Sequence, residues 1–165
     1  MILRAGSAPS KAADVLAKDF RVLSYAVSGR ETAAAELAAA LGSKLSETAL
    51  VADAASAATA MALAVSHPEL VKSVALVSPG AAAFSDLSNL KAPILALFGT
   101  GDTARAPDTA RNFCRAVPNC RLVYVYDASG ALDDARPEAV AAALQDFAVR
   151  REKFLVNART NHLYP

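Results

Sequence analysis

The sequence predicts an α/β protein, a three-layer α/β/α sandwich built on a six-stranded, doubly wound parallel sheet. Short apolar runs without polar alternation recur along the chain, and such runs suit strands that are buried on both faces. Helical patterns separate most of them, and this alternation is typical of doubly wound sheets. The 165 residues fit one domain, which we place at residues 1–150, with a C-terminal tail at 151–165.

The boundaries of the elements follow from turn residues, caps and prolines. The helix before Gly42 ends there because glycine favours a helix C-terminus, and two later helices begin at prolines, which fit the first helical turn. The predicted strands cover residues 1–3, 21–25, 48–53, 73–77, 93–98 and 121–126. The predicted helices cover residues 10–18, 31–41, 55–66, 107–116 and 137–150.

The charge pattern argues against nucleic-acid and membrane partners. The chain has 17 basic and 16 acidic residues, a net charge of +1, and its longest charged stretch, residues 150–153, is short and mixed in sign. No apolar run reaches the ~18 residues of a membrane span. The N-terminus lacks the architecture of a signal peptide. We therefore expect a cytoplasmic protein.

Cysteine and histidine usage predicts no metal and no cofactor. Cys114 and Cys120 lie six residues apart, and we expect both thiols to be reduced because cytosolic thiols usually are. No Cys/His cluster has the spacing of a metal site.

Several segments together resemble the α/β-hydrolase superfamily. Residues 50–58 connect a predicted strand to an Ala-rich helix, as a nucleophile elbow does. The tripeptide His67-Pro68-Glu69 follows the end of that helix. Residues 93–102 resemble the family's P-x-L-x-x-x-G-x-x-D turn, which ends on the acid of the catalytic triad. Residues 126–131 resemble the segment that ends in Gly-His. The resemblance implies a minimal family member without a lid and without the two leading strands.

The resemblance also implies that two of the three catalytic residues are missing. Counting back thirteen residues from His67 places Ala54 at the nucleophile position, and Ala131 after Gly130 stands at the base position, whereas Asp102 retains the acid. An alanine methyl group can neither attack a carbonyl nor carry a proton. The sequence thus predicts a degenerate triad.

Other residues could restore chemistry or binding. Ser56 is the nearest hydroxyl, and Asp53 would be the nucleophile if the register slipped by one, although it too would need a histidine. His162 could reach back from the tail as a base. The resemblance further implies a backbone oxyanion pocket formed by the N–H groups of Ala55 and of the first loop near Ala5 and Gly6.

These observations leave three hypotheses of function. The first is a non-catalytic protein that binds a small acyl or carboxylate ligand or a protein. The second is a weak esterase that uses Ser56. The third is a structural subunit, because loss of the leading strands would expose strand 21–25 as a sheet edge that invites a homodimer or another partner.

Overall fold

The computed structural model describes residues 2–5, 10–25, 38–39, 48–79, 87–101, 107–151 and 153–154. Several predictions lie outside these ranges. They concern the helix at 31–41 apart from two residues, the tail beyond residue 154, and three candidate site residues, which are Gly6, Asp102 and His162.

A parallel sheet forms the centre of the molecule, as predicted. Its strands run in the order β2-β1-β3-β4-β5-β6, and every neighbouring pair is parallel. The chain thus starts in the interior of the sheet, moves to one edge and then crosses back to build the other side. The strands are β1 (Ile2–Ala5), β2 (Val22–Tyr25), β3 (Thr48–Ala52), β4 (Val71–Val77), β5 (Ile94–Gly99) and β6 (Cys120–Val125).

The helices match the prediction best where a proline marks their start. Two of them have the predicted bounds, whereas a one-turn helix at Leu132–Ala135 was not predicted. The first helix is shorter than predicted and begins after Ser10, whose Oγ accepts a hydrogen bond from the backbone N–H of Ala13 at 3.2 Å. The helices are α1 (Lys11–Leu16), α2 (Ala57–Ser66), α3 (Pro107–Ala116), α4 (Leu132–Ala135) and α5 (Pro137–Arg150).

Buried side chains alternate between two cores, one on each face of the sheet. On one face Leu50 and Phe98 pack with Met61 of α2 and with α3. On the other face Leu97 packs with α1 and with Phe147 of α5. Both faces are therefore covered by helices, which explains why the strands read as continuous apolar runs.

The expectation of two reduced thiols was wrong. Cys114 in α3 and Cys120 at the start of β6 form a disulfide, with their Cα atoms 5.1 Å apart. The turn between them reverses the chain at Asn119, which has a φ of +51°, and so brings the two Cα atoms within the range that a disulfide spans.

Within the described ranges, no helix is long and apolar enough to cross a membrane. The same residues contain no group of three or more His, Cys, Asp or Glu side chains that could hold a metal ion.

Candidate functional site

The sheet changes its winding direction between β1 and β3. From β1 the chain moves to β2 on one side and later to β3 on the other, and ligands of open α/β sheets bind in the crevice at the carboxyl ends of such strands. Ala5 at the end of β1 pairs with Ala52 at the end of β3. The backbone of Ala5 therefore lies beside the strand that leads into the predicted elbow.

The elbow is a four-residue turn that begins at Asp53. The backbone N–H of Ser56 donates to the carbonyl oxygen of Asp53 at 3.2 Å and to its carboxylate Oδ1 at 2.9 Å, an arrangement for which aspartate is favoured. Helix α2 therefore starts at Ala57, two residues later than predicted. Ala54 and Ala55 form the exposed tip of this turn.

The backbone at the predicted nucleophile position does not have the left-handed conformation of a strained elbow. A nucleophile elbow holds its central residue in a strained conformation on a sharp turn. Ala54 is not among the described residues with a positive φ. The local backbone accordingly does not store the strain that presents a nucleophile.

Asp53 also alters the electrostatics of the predicted oxyanion pocket. The N-terminus of a helix favours an anion because its first N–H groups have no partner within the helix. Here the carboxylate of Asp53 already accepts from the N–H of Ser56, one residue from Ala55. A second anion at the N–H of Ala55 would be repelled by this fixed negative charge.

Ser56 is poorly placed to act as a nucleophile. The residue is 2% exposed, and its side chain makes no capping hydrogen bond to α2. Its carbonyl oxygen accepts from the N–H of Ala60 at 2.9 Å, which fixes it in the helix start. An attacking hydroxyl must be exposed at the top of the sheet, whereas Ser56 is buried.

Ala131, at the predicted base position, is exposed and precedes α4 directly. Its carbonyl oxygen accepts hydrogen bonds from the N–H groups of Asp134 at 3.1 Å and Ala135 at 3.0 Å. Gly130 before it has a φ of +67°, a conformation that suits glycine. The only histidine within the described ranges is His67, at the opposite end of α2 from Ala54.

One small cavity joins the elbow to the segment around Ala131. Asp53 and Asp133 both line it, whereas Ala54 and Ala131 do not. Its volume is about 10 Å³, which accommodates roughly one water molecule. The remaining lining residues are Ser10, Ala12, Ala13, Leu16, Val22, Val51, Val77, Val140 and Leu144.

The turn that leads to Asp102 is bonded to the segment before Ala131. The N–H of Gly101 donates to the carbonyl oxygen of Ala128 at 2.9 Å, and the N–H of Asp127 donates to Oγ1 of Thr100 at 2.9 Å. The predicted acid and base segments therefore share one supporting framework, although Asp102 itself lies outside the described residues.

Sequence reasoning missed a buried serine in this framework. Ser78 follows β4 with a φ of +48°, and its Oγ donates to the carbonyl oxygen of Gly130 at 3.4 Å. It ties the turn after β4 to the segment before Ala131. The Ser-Pro-Gly sequence at 78–80 is a turn signal at a carboxyl end of the sheet and could have identified it.

Comparison with solved structures identifies the architecture. An enol-lactonase from Burkholderia xenovorans LB400 superposes with a TM-score of 0.74 at 17% identity, over 90% of each chain. The chain has the α/β-hydrolase fold. A serine hydrolase involved in carbazole degradation gives a TM-score of 0.72 at 14% identity, over 91% of each chain.

Other solved structures support the same fold. An α/β-hydrolase enzyme from a sediment metagenome of the Mar Chica lagoon gives a TM-score of 0.68 at 18% identity, over 90% of each chain.

No protein-family model matches the sequence, and no match to a curated protein was found. The resemblance inferred from sequence motifs is thus confirmed at the level of the α/β-hydrolase fold.

Proposed function

We propose that this chain is a non-catalytic protein with the α/β-hydrolase fold, which acts by binding. The observation that carries the proposal is the pair of alanines at the nucleophile and base positions, Ala54 and Ala131. Both are exposed at the segments where a hydrolase of this fold presents its serine and histidine. With both groups missing, no side chain at these positions can attack an ester or shuttle a proton.

The surroundings of Ala54 support the same proposal. Ser56 is buried, Ala54 has no positive φ, and the carboxylate of Asp53 accepts from the N–H of Ser56, one residue from the N–H of Ala55. The oxyanion of a tetrahedral intermediate needs free N–H hydrogen-bond donors to stabilise its negative charge. A carboxylate next to the donors opposes that charge.

Steady-state ester hydrolysis tests the absence of catalysis. We expect the protein to hydrolyse p-nitrophenyl acetate no faster than a Ser56→Ala variant, since the reaction then comes only from buffer and surface groups. Multiple turnovers per protein molecule that disappear in Ser56→Ala would overturn the proposal in favour of the weak esterase.

The bound species is better matched by a protein than by a small carboxylate. The cavity beside the elbow holds about one water, and two carboxylates, from Asp53 and Asp133, line it. By contrast, β2 stands at one edge of the described sheet, and a strand edge offers unpaired backbone groups to another chain. We therefore propose a homodimer or another protein partner at β2.

Light scattering after gel filtration tests this surface. Ser24 is the exposed residue of β2, and a lysine there would oppose pairing of edge strands. We expect a dimer for the wild type and a monomer for Ser24→Lys. The control is Ala62→Lys, which adds the same charge on the exposed side of α2 and should remain a dimer. A monomeric wild type, or dissociation by both variants, would exclude self-association at β2.

A further inference from the structure

A groove at the amino ends of the sheet's strands collects positive charge from three distant parts of the sequence. It lies at the amino ends of β4 and β5 and has a volume of about 580 Å³, within the size range of small-ligand sites. The cationic residues that line it are Lys72, Lys91, Arg150, Arg151 and Lys153. The chain as a whole has a net charge of +1. The positive charge in the groove is therefore a local concentration, and the protein surface as a whole is not basic.

We infer that this groove, hereafter the basic groove, binds a small polyanion with two or more linked phosphate groups. Several cations around one concave site attract a multiply charged ligand more strongly than a single charge. Lysine and arginine are the usual partners of phosphate oxygens. The volume suits a short oligophosphate rather than a long polymer, and the sequence has no extended basic tract for nucleic acid.

A bulge in the sheet sets the position of Lys72. Thr48 of β3 pairs with Val71 of β4, whereas the next residue, Ala49, pairs with Ser73. Lys72 is therefore the extra residue on β4, and bulges of this kind redirect a side chain and are common next to functional sites.

The far side of the basic groove is held in place by the end of α5. The N–H of Arg151 donates to the carbonyl oxygen of Phe147 at 2.8 Å, and the N–H of Phe154 donates to the carbonyl oxygen of Arg151 at 3.1 Å. The buried ring of Phe154 packs edge-to-face on Phe147, with centroids 5.6 Å apart. This anchoring fixes the backbone of Arg151 and Phe154, which reduces the entropy that ligand binding would cost.

Few described acidic groups offset these cations. Asp146 pairs with Arg150 within α5 at 2.6 Å. Glu69 accepts from its own backbone and lies 3.1 Å from Nδ1 of His67, and both contacts, with a smaller influence from Lys72, lower the pKa of its carboxyl. Glu152 lies outside the described residues. Lys72, Lys91 and Lys153 make no ion pair with a described carboxylate.

The basic groove is independent of the proposed function because it lies at the amino ends of the strands, whereas Ala54 and Ala131 lie at the carboxyl ends. Its test uses different ligands and different variants. Either proposal can therefore fail without the other.

Isothermal titration calorimetry with inorganic tripolyphosphate tests the inference. We expect saturable binding with one site per chain that is weaker for pyrophosphate, weaker again for orthophosphate, and reduced by added salt. A Lys72→Gln/Lys91→Gln variant should bind tripolyphosphate roughly tenfold more weakly, if each lost cation contributes somewhat less than about 1 kcal/mol.

The matched control is Lys11→Gln/Lys18→Gln, which removes the same charge from exposed positions on and just after α1. It should bind tripolyphosphate like the wild type, and thermal unfolding should show both variants folded. Absence of binding, equal weakening in both variants, or binding of a single-stranded oligonucleotide in preference to tripolyphosphate would overturn the inference.

Discussion

Replacing Gly99 with alanine should disrupt the framework that joins the predicted acid and base segments. A Cβ built on Gly99 would overlap the carbonyl oxygen of Ala128, and it would lie 2.7 Å from the carbonyl carbon of Ala128 and 2.8 Å from Cδ2 of Leu132. The same carbonyl oxygen accepts from the N–H of Gly101 at 2.9 Å. Relief of the clash therefore requires a shift of backbone that is itself bonded.

The expected cost combines two effects. Overpacking of a close contact costs about 3 kcal/mol at the upper end of its usual range, and loss of the Gly101–Ala128 hydrogen bond adds about 1 kcal/mol. We expect the free energy of unfolding, measured by urea denaturation, to fall by about 4 kcal/mol, with a Tm lower by roughly 8–16 °C for a chain of this size.

Two other glycines provide matched controls. A Cβ on Gly101 would lie 3.2 Å from the oxygen of Ala128, which a small adjustment relieves, and a Cβ on Gly130 would meet nothing within 4 Å. Gly130→Ala should cost about 1–2 kcal/mol because of its positive φ, and Gly101→Ala less. If Gly99→Ala were no more destabilising than Gly130→Ala, the close packing of these segments would be refuted.

Three further predictions follow from single contacts. The hydroxyls of Thr48 and Ser73 are buried with no described hydrogen-bond partner. Thr48→Val and Ser73→Ala should therefore each raise the free energy of unfolding by about 1 kcal/mol, or the Tm by ~2–4 °C. Lower Tm values would contradict this. Asp53→Ala should lower the urea-derived stability by about 1–2 kcal/mol, and Asp53→Asn by less, because only alanine removes the acceptor for the N–H of Ser56. Carbon-13 NMR should find the pKa of the Glu69 carboxyl below its ordinary value, because its backbone hydrogen bond and His67 favour the ionised form. Its small stabilising effect is then present above the unfolded pKa and is lost as the pH falls through the folded pKa.

Much of the fold could be predicted because its elements carry local signals. The apolar runs at 73–77 and 93–98 are buried on both faces of the sheet, and Pro107 and Pro137 mark helix starts that match the structure. Strand ends were less accurate, since β4 begins at Val71, two residues before its predicted start at Ser73. There the bulge at Lys72 interrupts the pairing, and such an irregularity leaves no periodic signal.

The turn between β3 and α2 was predicted from the sequence, but its hydrogen bonds were not. The spacing to His67 located Ala54, whereas the hydrogen bonds from Ser56 to Asp53 depend on local backbone geometry. The contact of Ser78 with Gly130 spans 52 residues of sequence. The basic groove likewise combines residues that lie far apart along the chain. Such juxtapositions arise from the sheet order, which a single sequence specifies only weakly.

The proposed absence of a nucleophile is tested most directly by covalent labelling. The protein would be incubated with an excess of a fluorophosphonate probe and weighed by intact mass spectrometry, next to Ser56→Ala and an active serine hydrolase. We expect an unchanged mass for both the wild type and the variant, because Ala54 has no hydroxyl and Ser56 is buried. A stoichiometric adduct that maps to Ser56 and disappears in Ser56→Ala would contradict it.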